Sequence, residues 1–210
     1  MLNSLNLSKF FFKNIVRNHI QLFLFIIMNK IKTIITKKLK RLDIKKVCIL
    51  KDTQWKFGLK SQLEWFKKNI KLNDVHILLK RDNNLIGYTL LRKRTFIIKS
   101  NLQKSLKFRE RERVREYWLF DTHIVKKNYR GVGYNRILMK ASEKVIKNYL
   151  GLLICSSNLI NYYKKFKWVL IKPNLFKIID HPFSSNAMFF NQQKIKKSGN
   201  KKVICFYVNK

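Results

Sequence analysis

The feature that most constrains the fold is a pair of glycines between a strand-like and a helix-like segment. Gly131 and Gly133 are two of only six glycines in 210 residues, and they follow an apolar run that ends at Val125. A helical pattern begins at Tyr134, and the first N–H groups of a helix have no partner within it and carry partial positive charge. Glycine lets an anion approach such a backbone closely. The segment therefore predicts a pyrophosphate cradle flanked by Arg130, with a tight turn that binds nothing as the alternative.

Hydrophobic periodicity predicts an alternation of strands and helices around this turn. A hairpin is expected over residues 75–96, because Asp82, Asn83 and Asn84 tolerate left-handed turn geometry. The other predicted elements are strands over 45–51, 116–125, 152–157, 168–171 and 201–208, helices over 134–150 and 158–166, a helical region over 52–74 broken near Gly58, a charged loop or hairpin end over 98–113, and an irregular segment over 172–200. This order indicates an α/β domain with a mixed sheet.

Charge and composition exclude several classes of protein. The chain has 47 Lys and Arg against 11 Asp and Glu, a net charge of +36, which predicts a surface that attracts phosphate groups, nucleic acid or acidic lipid. Hydrophobic residues make up 46% of the chain, enough for a core, so a disordered chain is excluded. The three cysteines lie far apart and the four histidines lack metal-ligand spacing, so neither a disulfide scaffold nor a metal cofactor is expected.

The N-terminal segment has the composition of a leader. No acid precedes Asp43, and the apolar stretch Ile20–Met28 is shorter than the roughly 20 residues that a transmembrane helix needs. Met28 as the true start, a cleaved leader and a structured helix all fit this pattern. A cytoplasmic location is expected, with organelle targeting through the acid-free segment as the alternative.

We predict one folded domain over residues 45–210. Its core motifs occupy residues 45–170, and residues 171–210 form a C-terminal extension with a closing strand. Residues 1–44 are expected to be a basic leader or extension that this domain does not need, since they precede the first core-like segment.

Three spaced motifs resemble those of the GNAT (Gcn5-related) N-acetyltransferases. RGVGYN, residues 130–135, is similar to the family's acetyl-CoA loop, Gln/Arg-x-x-Gly-x-Gly/Ala, with Asn135 at the position of the final small residue. NYYKKFKW, residues 161–168, resembles the family's tyrosine box, with Lys167 in place of glycine. NNLIGYTLLRK, residues 83–93, resembles its second hairpin strand. The three motifs occur in the family's order, which makes the likeness more specific than any one of them.

The resemblance implies a mixed, mostly antiparallel central sheet that splays after strand four and is flanked by helices. Acetyl-CoA would be the co-substrate, with its thioester arm in the gap and its pyrophosphate at the helix mouth. The cofactor-binding residues so implied are His123, Val125, Arg130, Gly131, Val132, Gly133, Tyr134, Asn135 and Asn158. A narrower likeness of residues 152–168 to the aminoglycoside 2′-N-acetyltransferases and nodulation-type acyltransferases implies an amino-sugar or other small-amine acceptor.

The implied reaction is direct attack of an acceptor amine on the thioester. Tyr163, which matches the tyrosine of the box, would protonate the leaving thiolate, with Tyr162 as the alternative. Asp121 would take the proton of the amine. On a regular strand Asp121, His123 and Val125 share one face, which would be directed at the cofactor.

Two other functions fit parts of the sequence. A basic protein associated with nucleic acid or ribosomes would use the net charge of +36, although the chain contains no nucleic-acid-binding motif. A GNAT-like shell without efficient catalysis would fit the departures at Asn135 and Lys167. Trp55, Trp65 and Phe66 are expected in the core, or alternatively in a wall of the acceptor pocket.

Overall fold

The computed structural model describes residues 29–100, 114–180, 186–194 and 202–209. In this part of the chain the strands are β1 Asn29–Ile35, β2 Val75–Arg81, β3 Asn84–Ser100, β4 Arg115–Val125, β5 Leu150–Cys155, β6 Val169–Leu170, β7 Phe176–Ile178, β8 Asn186–Phe190 and β9 Lys202–Tyr207. The α-helices there are α1 Arg41–Asp52, α2 Leu59–Asn69, α3 Tyr134–Ile146 and α4 Ile160–Lys164. None of these helices is long and apolar enough to cross a membrane.

All the strands belong to one mixed sheet. The main path runs β1-β2-β3-β4-β5-β8-β6, and β9 pairs with the far end of β3, with β7 on its other side. The β4–β5 and β7–β9 pairs are parallel and the remaining pairs are antiparallel. The predicted mixed, mostly antiparallel sheet is therefore confirmed.

The predicted hairpin is confirmed between β2 and β3. Asp82 and Asn83 have φ of 49° and 63°, so both central residues of the turn adopt the left-handed conformation that asparagine and aspartate tolerate. β3 then continues for 17 residues, far beyond its pairing with β2. Most of the charged segment predicted over residues 98–113 lies outside the described residues.

Helices cover both faces of the sheet. Val47 of α1 and Phe66 of α2 pack on one face with Leu78 and Leu90 of the first two hairpin strands. On the other face, a second cluster joins α3 and α4 to the residues of the same strands that point the opposite way. This cluster includes Ile77, Leu79, Ile86, Leu138, Met139 and Tyr163. Alternate residues of β2 thus feed opposite cores, as the two-residue period of a strand requires.

β4 and β5 separate part of the way along β4. Their parallel pairing runs only from Tyr117 opposite Leu150 to Phe120 opposite Leu153. β4 continues alone on that side to Val125. This opening after strand four is the predicted splay. On the side of β4 that faces the opening, backbone N–H and C=O groups can pair with a ligand.

Residues 45–51, predicted as a strand, lie inside α1, so that prediction is wrong. Val47, Cys48 and Leu50 are buried on the inner side of the helix, as is Lys51, whereas Ile49 is exposed. The error has a physical reason: a short, nearly continuous apolar run suits a buried strand and a buried helix segment equally, and periodicity does not separate them.

The segment predicted to be irregular, residues 172–200, contains β7 and β8. β8 inserts between β5 and β6, and its residues Ala187, Met188 and Phe189 are buried. Each residue of β8 pairs with a residue of β5 more than thirty positions earlier in the sequence, and its partners in β6 lie about twenty positions earlier. Such a short strand depends on these non-local partners, which leave little local signal.

The predicted boundary at residue 44 falls inside α1. β1 pairs with β2 along its whole length, from Asn29 opposite Arg81 to Ile35 opposite Val75. Asp43 also forms an ion pair with Lys80 of β2 at 2.8 Å. The structure thus makes residues 29–44 part of the sheet and of the first helix.

We predict that a chain shortened to start at Lys45 melts about 6–12 °C or more below one that starts at Met28. The shorter chain loses the β1 ladder, the buried side chain of Leu39 and the Asp43–Lys80 ion pair, together worth ~3 kcal/mol or more, and each kcal/mol shifts the melting temperature of a protein of this size by about 2–4 °C. Calorimetric melting of the two chains measures the difference. Equal melting temperatures would show that residues 29–44 add nothing to the domain.

Candidate active site

The turn between β4 and α3 leaves the helix mouth open. Gly131 and Gly133 have φ of 84° and 92°, a conformation that side chains disfavour, and Gly133 is the residue that caps α3. A Cβ at either glycine would meet no atom within 4 Å. The first backbone hydrogen bond of the helix runs from the Ile137 N–H to the Gly133 carbonyl, so the N–H groups before Ile137 have no partner within the helix. This is the geometry that an anion-binding helix mouth requires.

Arg130 braces the turn from the side. Its Nε donates to the carbonyl of Val125 at 2.9 Å, and its Nη2 donates to Oε1 of Gln54 at 2.8 Å. The guanidinium therefore fixes the end of β4 to the segment after α1. Its charge lies beside the helix mouth, while Val132, at the tip of the turn, is 64% exposed.

Tyr134 and Asn135 occupy the first turn of α3 in different ways. The Tyr134 ring is buried beside Tyr129, with a centroid distance of 6.1 Å, so only its backbone belongs to the helix mouth. The Asn135 side chain is half-buried, and its presence near His123 of β4 favours the charged form of that imidazole. Asn135, which departs from the family pattern, therefore lies between the helix mouth and the end of β4.

His123 is held as a neutral imidazole. Its Nδ1 lies 2.9 Å from Oγ1 of Thr89 on β3, and its ring stacks at an angle on Phe120 with centroids 5.4 Å apart. Burial lowers the pKa of His123 to about 4, an effect that Asn135 opposes only in part, and the buried Nε2 has no hydrogen-bond partner among the described residues. The side chain thus positions the end of β4 without carrying a charge near neutral pH.

Asp121 points away from His123, so the predicted shared face is wrong. Between Leu90 opposite Thr122 and Leu91 opposite Phe120, the β3–β4 register gains one residue, and Asp121 is that residue. A bulge of this kind redirects the side chains around it. The Asp121 carboxylate instead accepts a hydrogen bond from Nη1 of Arg92 at 2.8 Å, towards α2.

Tyr163 lies at the edge of the opening between β4 and β5. It is 8% exposed and meets Phe120 and Trp168 edge-on, at centroid distances of 6.0 and 6.5 Å. Burial raises the pKa of Tyr163 well above its ordinary value, so the phenol keeps its proton. In the described part of the chain, the buried Tyr162 hydroxyl and Trp168 indole N–H have no hydrogen-bond partner. Polar atoms of this kind favour a ligand that supplies partners for them.

Asn158 lies on the connection between β5 and α4. It is exposed, and its Oδ1 accepts a hydrogen bond from the hydroxyl of Ser156. The nearby Ser157 hydroxyl accepts one from Asn186 of β8 at 3.1 Å. This connection leads from the open end of β5 to the helix that carries Tyr163.

A cleft of about 760 Å³ lies between α2 and the strands that separate. Asp121, Arg92, Phe120 and Trp65 line it, so Trp65 belongs to a pocket wall, whereas Phe66 is buried in the core. The remaining lining residues are Ser61, Glu64, Lys68, Asn69, Leu119, Ile154, Val208 and Asn209.

Sequence reasoning missed Arg92 and Glu64. Arg92 and Arg94 lie two positions apart, directly after the apolar run that ends at Leu91, and two arginines spaced in this way in a buried strand indicate buried partners. Glu64 is one of only 11 acids in the chain and lines the cleft. Among the described residues it has no ion-pair partner, unlike Asp121.

A fully buried ion pair, Arg94 with Asp74, fixes the walls of this cleft. The Arg94 Nη1 lies 2.7 Å from Oδ1 of Asp74, and both side chains are inaccessible to solvent. Arg94 also donates to the carbonyls of Asn69 at the end of α2 and Val208 after β9. Asp74 also accepts the backbone N–H of Lys93. Two lining residues of the cleft, Asn69 and Val208, are thereby tied to one guanidinium.

The chain belongs to the Acetyltransferase (GNAT) family, whose sequence profile matches residues 46–168. Among solved structures, Escherichia coli YhbS in complex with CoA is similar, with 12% identity, a TM-score of 0.55, and coverage of 85% of this chain and 89% of that one. Escherichia coli ElaA shares 15% identity at a TM-score of 0.51, over 77% of this chain and 99% of that one. An acyl-CoA N-acyltransferase from Pseudomonas aeruginosa shares 13% identity at a TM-score of 0.51, over 77% of this chain and 98% of that one.

At these identities the structural likeness shows the fold, which is that of the GNAT enzymes. No curated protein matches the sequence. The family assignment agrees with the resemblance seen in the turn, the tyrosine box and the hairpin.

We predict that Arg94→Met lowers the free energy of unfolding by about 3–5 kcal/mol, because it leaves the Asp74 carboxylate buried without its partner. Lys93→Met is the matched control, since Lys93 is the next residue of β3 and pairs with Glu116 on the surface at 2.7 Å. It should cost about 1 kcal/mol or less. Urea denaturation measures both values. A small loss for Arg94→Met, equal to that of the control, would mean that the buried pair does not hold the cleft together.

Proposed function

We propose that the chain is an N-acetyltransferase that moves an acetyl group from acetyl-CoA to the primary amine of a small acceptor, amino sugars included. The observation that supports this most is the open helix mouth at Gly133, which lies next to the gap between β4 and β5 and to a protonated tyrosine. The solved structure of the similar protein YhbS contains CoA, and the proposal extends that ligand to this chain.

The residues at the gap suit acetyl-CoA. The backbone N–H groups around Gly131 and Gly133 would hold the pyrophosphate, since an anion gains from the helix dipole and from partnerless donors. The edge of β4 from His123 to Val125 that faces away from β3 would pair with the pantetheine amides, apart from the Val125 carbonyl, which accepts from Arg130. The Tyr162 hydroxyl and the Trp168 N–H, both buried without a partner among the described residues, would gain partners from the same arm.

In the proposed reaction, the two substrates reach β4 from opposite sides. The lone pair of the acceptor amine attacks the thioester carbonyl, the new C–N bond forms, and the C–S bond breaks to release the thiolate. Tyr163 gives its phenolic proton to the sulfur, and Asp121 takes the proton that the amine loses. Because the bulge turns Asp121 towards α2, the amine would arrive from the cleft, while the thioester arrives from the gap.

A nucleic-acid-associated role is the second candidate. Lys140, Lys144 and Lys147 lie together along the outer side of α3, as part of a chain with a net charge of +36. Such a surface attracts phosphates, with an affinity that falls steeply with salt. Binding of a generic RNA that survives 200 mM salt would favour this role; loss of all binding would disfavour it.

We predict that Gly133→Val weakens acetyl-CoA binding by at least about 100-fold, because the side chain fills the space where an anion would meet the helix mouth. Gly58→Val is the matched control. Gly58 also caps a helix, has φ of 83° and has open space around its Cβ position, so backbone strain should lower the stability of both variants, by about 1–3 kcal/mol each.

Calorimetric titration of the two folded variants separates binding from strain. Full affinity in Gly58→Val together with lost affinity in Gly133→Val is the expected pair of results. Unchanged affinity in a folded Gly133→Val protein would refute the cradle.

We predict that Tyr163→Phe lowers kcat by about 10²–10⁴ while acetyl-CoA still binds, since the variant loses the proton donor and keeps the packed ring. Tyr162→Phe should cost far less, because adjacent helical residues point about 100° apart and only one can face the sulfur. The measurement is release of free thiol with an accepted amine. Small, equal losses in the two variants would indicate that solvent protonates the thiolate.

A further inference from the structure

Arg92, below the cleft, has one side of its guanidinium paired and the other side unpaired. The residue is 4% exposed, and its Nη1 is engaged by Asp121 at 2.8 Å. Its Nε and Nη2 are buried and have no hydrogen-bond partner among the residues that the structure describes. These two nitrogens form the side of the fork whose parallel N–H groups match the two oxygens of a carboxylate. Leaving such donors unpaired is costly, so a ligand that supplies two oxygens gains from pairing with them.

The charges around Arg92 also favour an anion. The Lys51 ammonium lies 3.5 Å from the ring centroid of Trp65, and the Arg92 guanidinium carbon lies 5.8 Å from the same centroid. Lys51 is 6% exposed, and burial is the main reason that its pKa is lowered. Asp121 supplies one negative charge against these two cations, and the two further charged residues of the cleft, Glu64 and Lys68, offset each other. A bound carboxylate would balance the cluster.

The lining of the cleft narrows the ligand further. Leu119, Phe120, Ile154 and Val208, together with Trp65, give it an apolar wall. A polycationic acceptor such as an aminoglycoside would add several positive charges to a cleft whose two acids, Asp121 and Glu64, are already outnumbered by Arg92, Lys68 and Lys51. Like charges in poorly solvated surroundings repel strongly.

We propose that the acceptor is a free apolar α-amino acid, whose carboxylate pairs with Nε and Nη2 of Arg92 and whose amine lies beside Asp121. This rests on the acetyltransferase function proposed above and names its substrate class. One guanidinium holds the catalytic carboxylate with one edge and the substrate carboxylate with the other, so it sets the distance between amine and base. Both free nitrogens lie beneath the cleft surface, and a shift of the half-buried Trp65 ring is the step that admits the ligand.

The test compares amino acids with their amides. L-phenylalanine and L-leucine, each against its amide, are titrated calorimetrically into the full chain in the presence of saturating CoA. We expect the acids to bind about 10- to 100-fold more tightly, the range for one charge-assisted bidentate pair. Arg92→Lys keeps the charge but loses the fork, so it should remove most of that preference. Arg115→Lys, the same change at an exposed position of β4, should retain it.

Several outcomes would overturn the proposal. The proposal is wrong if the amides bind as tightly as the acids. It is also wrong if neither acid binds. A preserved preference in an Arg92→Lys protein with an unchanged melting temperature would also overturn it. If that variant fails to fold, the comparison of acids with amides in the unmodified chain is sufficient to accept or reject the carboxylate site.

Failure of the acetyltransferase function gives a different pattern. A chain that prefers the acids but neither binds acetyl-CoA nor releases thiol contradicts the function and leaves the carboxylate site standing. A chain that releases thiol with equal kcat/KM for acid and amide contradicts the carboxylate site alone.

Discussion

The buried ion pair between Arg94 and Asp74 is the interaction on which the site depends. It lies where the start of β2, the middle of β3, the end of α2 and the end of β9 meet, and each of these elements gives it a hydrogen bond or a charge. Because a buried charge is stable only when its partner is in place, these four elements are fixed relative to one another. The cleft between α2 and the sheet inherits its shape from that arrangement.

The bulge at Asp121 divides the site into two sides. Before the bulge β4 pairs with β5, and after it the two strands are apart. One side of the opening carries His123 and Tyr163, and the other carries Asp121 with Arg92, while the Phe120 ring contacts the first two and also lines the cleft. A reaction that joins two substrates needs separate approaches to one reacting centre, and a splayed sheet with a local bulge supplies them.

Local signals in the sequence predicted the elements that depend on local chemistry. The glycine turn at 131–133 and the Asp82–Asn83 hairpin each need left-handed residues, and both formed where those residues stand. The strand at 45–51 was wrong because a short apolar run has no unique period. β8 and the direction of Asp121 were missed or misread, since both depend on a partner strand that the local sequence does not reveal. The place of Arg92 in the cleft depends on Trp65 of α2 and Asp121 of β4, which are distant in sequence, so the local sequence does not predict it.

Hydrogen exchange measured with and without acetyl-CoA shows whether the helix mouth and the open end of β4 bind this co-substrate. We expect slower exchange in peptides that cover residues 120–136, with α1 and β1 unchanged, because ligand contacts protect the amides that they cover. Slower exchange spread evenly over the lysine-rich surface, or no change over residues 120–136 at saturating acetyl-CoA, would contradict it.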